Sequence, residues 1–455
     1  MNILRNGWLL AIVVCIGSFK AVVAQEATHR FSLEQALEYA SEHGYTNISS
    51  NYDVEAAQRK IWETVASGLP QVDFSGRYNH SMDLTQSLLP VEFFPEENWP
   101  DGVQSGDKIP VAFGTAYDAS YTLGVTQMIF DGSYFVGVQA TRVFVELTEQ
   151  TRRKTEIELR SKVAQSYFLV LSAQENKVAF EELLQNNEAI LRETKAMHET
   201  GFVEALDVSQ MELLVNDTRQ RMKEAERNET VALAVLKYAL GMKGEEQLEL
   251  SDSLSHLSRR MLGSGLPQPV LDQEKHVDYQ LAAVNEESRK LMLRNEQVQY
   301  LPKISAFYNY QKMGYADEWN VFGEEWYKAQ FVGVQVSIPI FSSGMRHAKV
   351  QQQKLNWLKS QNEKERTMHE LDNHFYTAMA DMKNSHEQYL YSIQNRELAL
   401  DILEKTRTKF SHGVSTSSEF TQQQGQYIQA QLSYVQSAVN LMNAHISLLK
   451  ASGDL

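Results

Sequence analysis

One pattern occurs twice in this chain, and it restricts the fold more than any other feature. An alternating strand leads through a sharp turn into a very long helix, which ends at a glycine and doubles back. The first copy runs through Phe130, a turn at Asp131 and Gly132, a helix-compatible stretch to His198, and Gly201. The second runs through Phe341, a turn at Ser342 to Gly344, a similar stretch to Ser411, and Gly413. Phe130 and Phe341 stand 211 residues apart, and Gly201 and Gly413 stand 212 apart. Gly241 and Gly453, which close the returning helices, are also separated by 212. A period this long marks a duplicated half-molecule rather than a solenoid of short repeats.

The period sets the boundaries. Residues 25–241 form the first repeat, with strands at about 71–81 and 112–129, a long helix at about 133–198 and a return helix at 203–240. A polar segment, 242–272, carries Pro267 and Pro269 and connects the halves as an equatorial piece. Residues 273–455 form the second repeat, with strands at about 303–313 and 330–340, a long helix at about 345–411 and a return helix at 416–452. Within the long helices apolar residues recur in sevens: Val163 and Val170, then Leu184 and Leu191, and in the second copy Met368, Phe375, Met382 and Tyr389. That spacing is the mark of coiled-coil packing. At 1.5 Å per residue each long helix would extend about 100 Å, well beyond a globular helix.

The shorter elements follow local signals. Ser32 with Gln35 is a capping-box start for a first helix, and a second helical stretch runs from about Asn51 to Ser67. Leu69 with Pro70, and later Leu301 with Pro302, stop helices before strands. Residues 82–110, with four prolines and several acids, read as an exposed loop, and 313–328 as a shorter one.

The formal net charge is −15. That excludes a nucleic-acid partner, which needs a basic footprint. Residues 1–24 read as a secretory signal: Arg5, then a short apolar core from Trp8 to Phe19, then a small residue, Ala24, before a cleavage point at Gln25. This core is too short to span a bilayer as a helix. Without it the charge becomes −17, since Arg5 and Lys20 leave and no acid does. The single cysteine, Cys15, lies in this segment, so no disulfide is expected in the mature chain.

The four strands have the length that crosses a bilayer at a tilt, and they are rich in Tyr and Phe. Four strands cannot close a barrel, and an open edge is not tolerated in lipid. Several chains would have to share one barrel, two giving 8 strands and three giving 12. Two soluble hairpins packed on a helix face are the alternative reading of the strands alone.

At these residues the chain resembles the TolC-like outer-membrane efflux proteins, over nearly its whole mature length. The resemblance rests on Phe31 to Leu37, on the Leu-Pro pairs at 69–70 and 301–302, and on Ile338 to Phe341. It also rests on the helix turns, Thr200-Gly201 with Asp207-Val208 and His412-Gly413 with Glu419. It implies a mostly α fold with β: a homotrimer whose 12-stranded β-barrel lies in outer-membrane lipid and continues as a long periplasmic α-helical coiled-coil barrel. It implies a passive exit duct, located in the outer membrane, working with a periplasmic adaptor (membrane fusion) protein and an inner-membrane pump to export small molecules. It further implies acidic rings that constrict the pore near the second helix turn. Glu419 matches the first ring position, and Gln422 stands where the family often has Asp. Asp207 is a further constriction candidate, and Gly201, Phe202, Gly413 and Val414 are candidates for adaptor docking. The duct of a type I protein secretion system shares this fold, and a periplasmic coiled-coil scaffold is the alternative from another class.

No catalysis and no cofactor are expected. His369-Glu370 and His374 resemble a zinc helix, but zincins need two His four apart on one face, and here they are five apart, about 140° around the helix. No phosphate loop or nucleophile elbow occurs.

Overall fold

The structure is a computed structural model and describes residues 28–263, 267 and 269–455. The expected signal segment and Cys15 lie outside the described residues. In chain order the elements are β1 (Thr28–Phe31), α1 (Leu33–His43), α2 (Tyr45–Ala66), β2 (Gln71–His80), β3 (Gln86–Pro90), β4 (Lys108–Ala112), β5 (Tyr117–Phe130) and α3 (Gly132–Glu199). The chain continues through α4 (Ala205–Leu240), β6 (Gln247–Leu250), α5 (Leu254–Gly263), α6 (Val277–Val298), β7 (Lys303–Ala316), β8 (Trp326–Ser337), α7 (Met345–Ser411) and α8 (Ser417–Ser452). The described residues fall into two compact units that draw on both halves of the sequence: 28–43 with 162–263 and 388–442, and 44–161 with 267, 269–387 and 443–455.

The second of these units carries an antiparallel sheet in the order β2-β5-β7-β8. Its register aligns residues in rows across the strands, some apolar and some mixed, as where Asn309 faces Phe331 and Tyr310 faces Gln330. Val72, Val125, Tyr308 and Val332 form one cross-strand row, and Phe74, Leu123 and Tyr310 continue the next on the same face. On the opposite face Asp73, Gly124 and Asn309 align, then Ser75, Thr122 and Gln311. The apolar face is uncovered: Val332 is 83% exposed and Phe74 71%. Aromatic side chains gather at the loop end of the sheet, where Tyr78 stacks on Phe322 at 6.0 Å and its hydroxyl donates to the Trp319 carbonyl at 3.1 Å. Gly333 pairs with Phe307, and a Cβ there would lie 2.8 Å from the Phe307 ring, so the ring needs that glycine.

Several boundaries differ from the sequence reading, among them the strand expected at 112–129, which starts at Tyr117, and the loop expected at 313–328, into which β7 and β8 both extend. The stretch 82–110 is not all loop, because β3 and β4 pair within it as an antiparallel hairpin. The last strand begins earlier and stops at Ser337, since Pro339 has no N–H to give to a ladder. The connecting segment contains β6, which pairs in parallel with β1, and α5. In the same unit as the sheet, Glu286 of α6 is bound by Lys364 of α7, and Gln361 donates to it at 3.2 Å.

The first unit is built around α3, α4, α7 and α8. Phe180, Leu183, Ile190, Met211, Leu214 and Phe420 are among the side chains of its core. Tyr167 is fully buried, and its hydroxyl donates to Asp252 at 2.8 Å and to the Phe31 carbonyl at 3.1 Å. Asp252 also accepts from the Leu33 N–H at 2.8 Å, which caps α1 from 219 residues away. Burial, then the neighbouring carboxylate, pushes the Tyr167 phenol up, so it stays a proton donor.

Candidate functional site

Both helix reversals lie in the first unit, and they close in the same way. Gly201 (φ 78°) donates to the His198 carbonyl, and Phe202 donates to that of Met197. Gly413 (φ 70°) donates to Phe410, and Val414 to Lys409. This is the paired bonding of a Schellman closure, which needs a left-handed residue and favours glycine. Phe202 is 84% exposed and Val414 75%, so each turn presents an apolar side chain with no cover in this chain.

Beyond the turns the two return helices start side by side. Thr416 caps α8 by accepting from the Glu419 N–H at 3.2 Å. On α4 the bond runs the other way round, as in a capping box: Asp207, in the first turn, accepts from the N–H of the N-cap residue Glu204 at 3.1 Å. The other oxygen of Asp207 accepts from Ser417, whose hydroxyl also reaches Gln210. Ser417 is buried, so this contact ties the first turn of α8 to that of α4. The carboxylate of Asp207 is therefore engaged on both oxygens within the protomer. Glu419 differs: it is exposed, and it accepts only a local hydrogen bond from Ser415 at 2.7 Å. Gln422 is exposed one turn further on.

Two stripes run along α8 from this point. The exposed one follows 3–4 spacing through Glu419, Gln422, Gln426, Gln429, Ser433, Gln436 and Asn440, and Glu419 is its one charge. The inward one is unexpectedly polar. Ser417, Gln424 and Gln431, seven apart, are all buried. Gln424 donates to Thr218 at 3.4 Å, and Thr218 accepts from Asn187 at 2.9 Å. Gln431 accepts from Arg396 at 2.6 Å, and the guanidinium of Arg396 lies 4.7 Å from the Tyr434 ring centre. Burial, then the Tyr389 hydroxyl, pushes the Tyr434 phenol up. The sequence reading missed these buried amides. Their signal was the seven-residue spacing itself, carried by residue types that look like surface.

No cluster of His, Cys, Asp or Glu able to hold a metal occurs among the described residues, and none of their helices is long and apolar enough to cross a membrane. The second fact does not bear on a β-barrel.

Comparison with known proteins gives a consistent picture. The family described as outer membrane efflux protein matches residues 49–242 and 273–454. The pyoverdine export outer membrane protein OpmQ of Pseudomonas aeruginosa is 26% identical over 186 residues, 40% of this chain. That match spans only 38% of OpmQ's own length. The Campylobacter jejuni CmeC outer membrane channel superposes with a TM-score of 0.70 at 16% identity, covering 93% of this chain and 85% of that one. The outer membrane protein VceC of Vibrio cholerae gives 0.66 at 13% identity, covering 92% and 96%. At these identities the superpositions speak for the fold.

Proposed function

This chain belongs to the outer membrane efflux protein family, and we propose that it is the exit duct of an export pump, working as a homotrimer. The observation that carries the reading is the sheet. One face carries Val72, Phe74, Val332, Val334 and Val336, all exposed, and these apolar side chains suit contact with lipid. The outer strands β2 and β8 have unpaired edges within the chain, and lipid supplies no hydrogen bonds to satisfy them. Three copies pairing β8 to β2 in a ring close a barrel of 12 strands.

In this arrangement Glu419 lines the constriction. A threefold axis brings three copies of one carboxylate together, and charged rings select ions by sign. Gln422 adds hydrogen-bonding groups but no charge, so the constriction carries one acidic ring. Asp207 holds the neighbouring helix in place. The turns at Gly201 and Gly413, with Phe202 and Val414 outward, offer apolar points for a periplasmic adaptor that links the duct to an inner-membrane pump. OpmQ is a pyoverdine export protein by description, and a small exported molecule is the matching cargo here.

Single-channel recording in a planar bilayer tests the reading, comparing wild type with Glu419→Gln. The substitution keeps size and removes charge. Cation selectivity should fall with little change in the yield of assembled protein. Unchanged selectivity would remove Glu419 from the constriction.

A further inference from the structure

From Gln426 to Asn440 the exposed stripe of α8 forms one wall of a groove of about 1000 Å³ in the first unit. The opposite walls come from α3, through Ser172 and Asn176, and from α7, through Gln388, Tyr391 and Asn395. Seventeen residues line this groove, and none is Asp, Glu, Lys, Arg or His, in a chain where 22% of residues are charged. Seven of the seventeen are side-chain amides and five carry hydroxyls. The remaining five, Leu432, Val435 and Val439 among them, supply an apolar floor. The carbonyl oxygen of Asn176 finds no partner among the described residues.

We propose that this groove is a track for uncharged, amide- or hydroxyl-bearing amphiphiles moving through the duct. The proposal rests on the duct reading above and names the class of cargo. A side-chain amide offers both donors and an acceptor, so a row of them can exchange hydrogen bonds with a peptide-like molecule in many registers. The absence of charge matters in both directions. A cationic cargo finds no counter-charge along this wall, and an anionic one finds no cation to offset its lost hydration. The volume suits a molecule of the size that ordinary ligand pockets enclose. The sequence of environments is then a single acid at the start of α8, followed by a neutral wall over the next 21 positions to Asn440.

The test uses the full-length protein in a planar bilayer, with three end-blocked hexapeptides of equal length as probes: a neutral Ser/Gln peptide, a Lys peptide and a Glu peptide. The neutral peptide should give the longest current blocks. In the double variant Gln429→Leu with Gln436→Leu, its dwell time should fall about tenfold, as loss of one or two neutral hydrogen bonds implies. Conductance without peptide should be unchanged. Equal blocks from all three peptides, or no effect of the double variant, would overturn the cargo class while leaving a conducting duct. Absence of any conductance would overturn both readings. A Gln429→Cys variant checks access, because Cys15 is the only native cysteine. Modification by a water-soluble thiol reagent in the open channel is expected, and protection would show that a neighbouring copy fills the groove, refuting the track.

Discussion

Replacing Asp207 by Ala should loosen the start of α8 without unfolding the helices behind it. The carboxylate accepts from the Glu204 N–H at 3.1 Å and from Ser417. The first contact is a helix cap, worth about 1 kcal/mol. The second crosses between helices to a buried hydroxyl, but Ser417 also donates to Gln210 and keeps that partner in the variant. Its net loss is therefore held to about 1 kcal/mol. The sum, about 2 kcal/mol, is about a 30-fold shift in the local opening equilibrium. Asp207→Asn retains one acceptor oxygen and should show about half the free-energy effect. Hydrogen exchange on the detergent-solubilised protein reads this directly. Amides in 204–211 and 416–424 should exchange about 30-fold faster in the Ala variant, while those in 163–171, around buried Tyr167, stay unchanged. Equal exchange in 416–424 would refute the tie between α4 and α8. Faster exchange everywhere would show that Asp207 supports global stability instead.

Other helix contacts give further expectations. The hydrogen bond from Lys364, opposed by partial burial, holds the Glu286 carboxyl below its usual range, and the Lys364 amine is correspondingly raised. A depressed carboxylate contributes stability above its unfolded value of 4.5, and that contribution is lost as pH falls through the lower folded value. Glu286→Gln should therefore cost about 1 kcal/mol at pH 7 and little at the acid end of a denaturation series; an equal cost at both ends would contradict the pairing. Gly413→Ala should destabilise by about 1 kcal/mol because its φ of 70° is left-handed, whereas Gly425→Ala, within α8 and with open space at its Cβ, should stabilise by about 0.5–1 kcal/mol. Thermal melts of the two variants should move in opposite directions. Phe420→Ala removes a buried ring stacked on Phe410 at 5.7 Å, and should cost about 3 kcal/mol or more by denaturant titration.

Much of this architecture is written in local residue order. Val332, Val334 and Val336 alternate with Gly333 and Gln335, and only a strand buries or exposes them as a set. Gly201 and Gly413 each follow a long heptad run, so a left-handed helix stop is legible there. The strand boundary at Ser337 was harder, because Ile338 and Ile340 continue the alternation while Pro339 denies the ladder its donor. The pairing of β1 with β6 was not legible: two four-residue strands far apart in sequence carry no period. The candidate site divides in the same way. Glu419 and Asp207 are both acids near helix starts, and sequence alone does not separate them. The separation comes from Ser417, a residue of no obvious character, whose buried hydroxyl engages Asp207 and leaves Glu419 exposed. Gln424 and Gln431 look like surface residues, yet their partners Thr218 and Arg396 lie on other helices, and that pairing depends on the packed structure.

The central claim is that four strands with open edges become a closed wall only through three copies of the chain. Native mass measurement of the protein extracted in mild detergent tests it most directly. The account expects a single species of three times the chain mass, in which a cysteine pair placed across β8 and β2 crosslinks between chains. A stable monomer, or a dimer with the same crosslink, would contradict it.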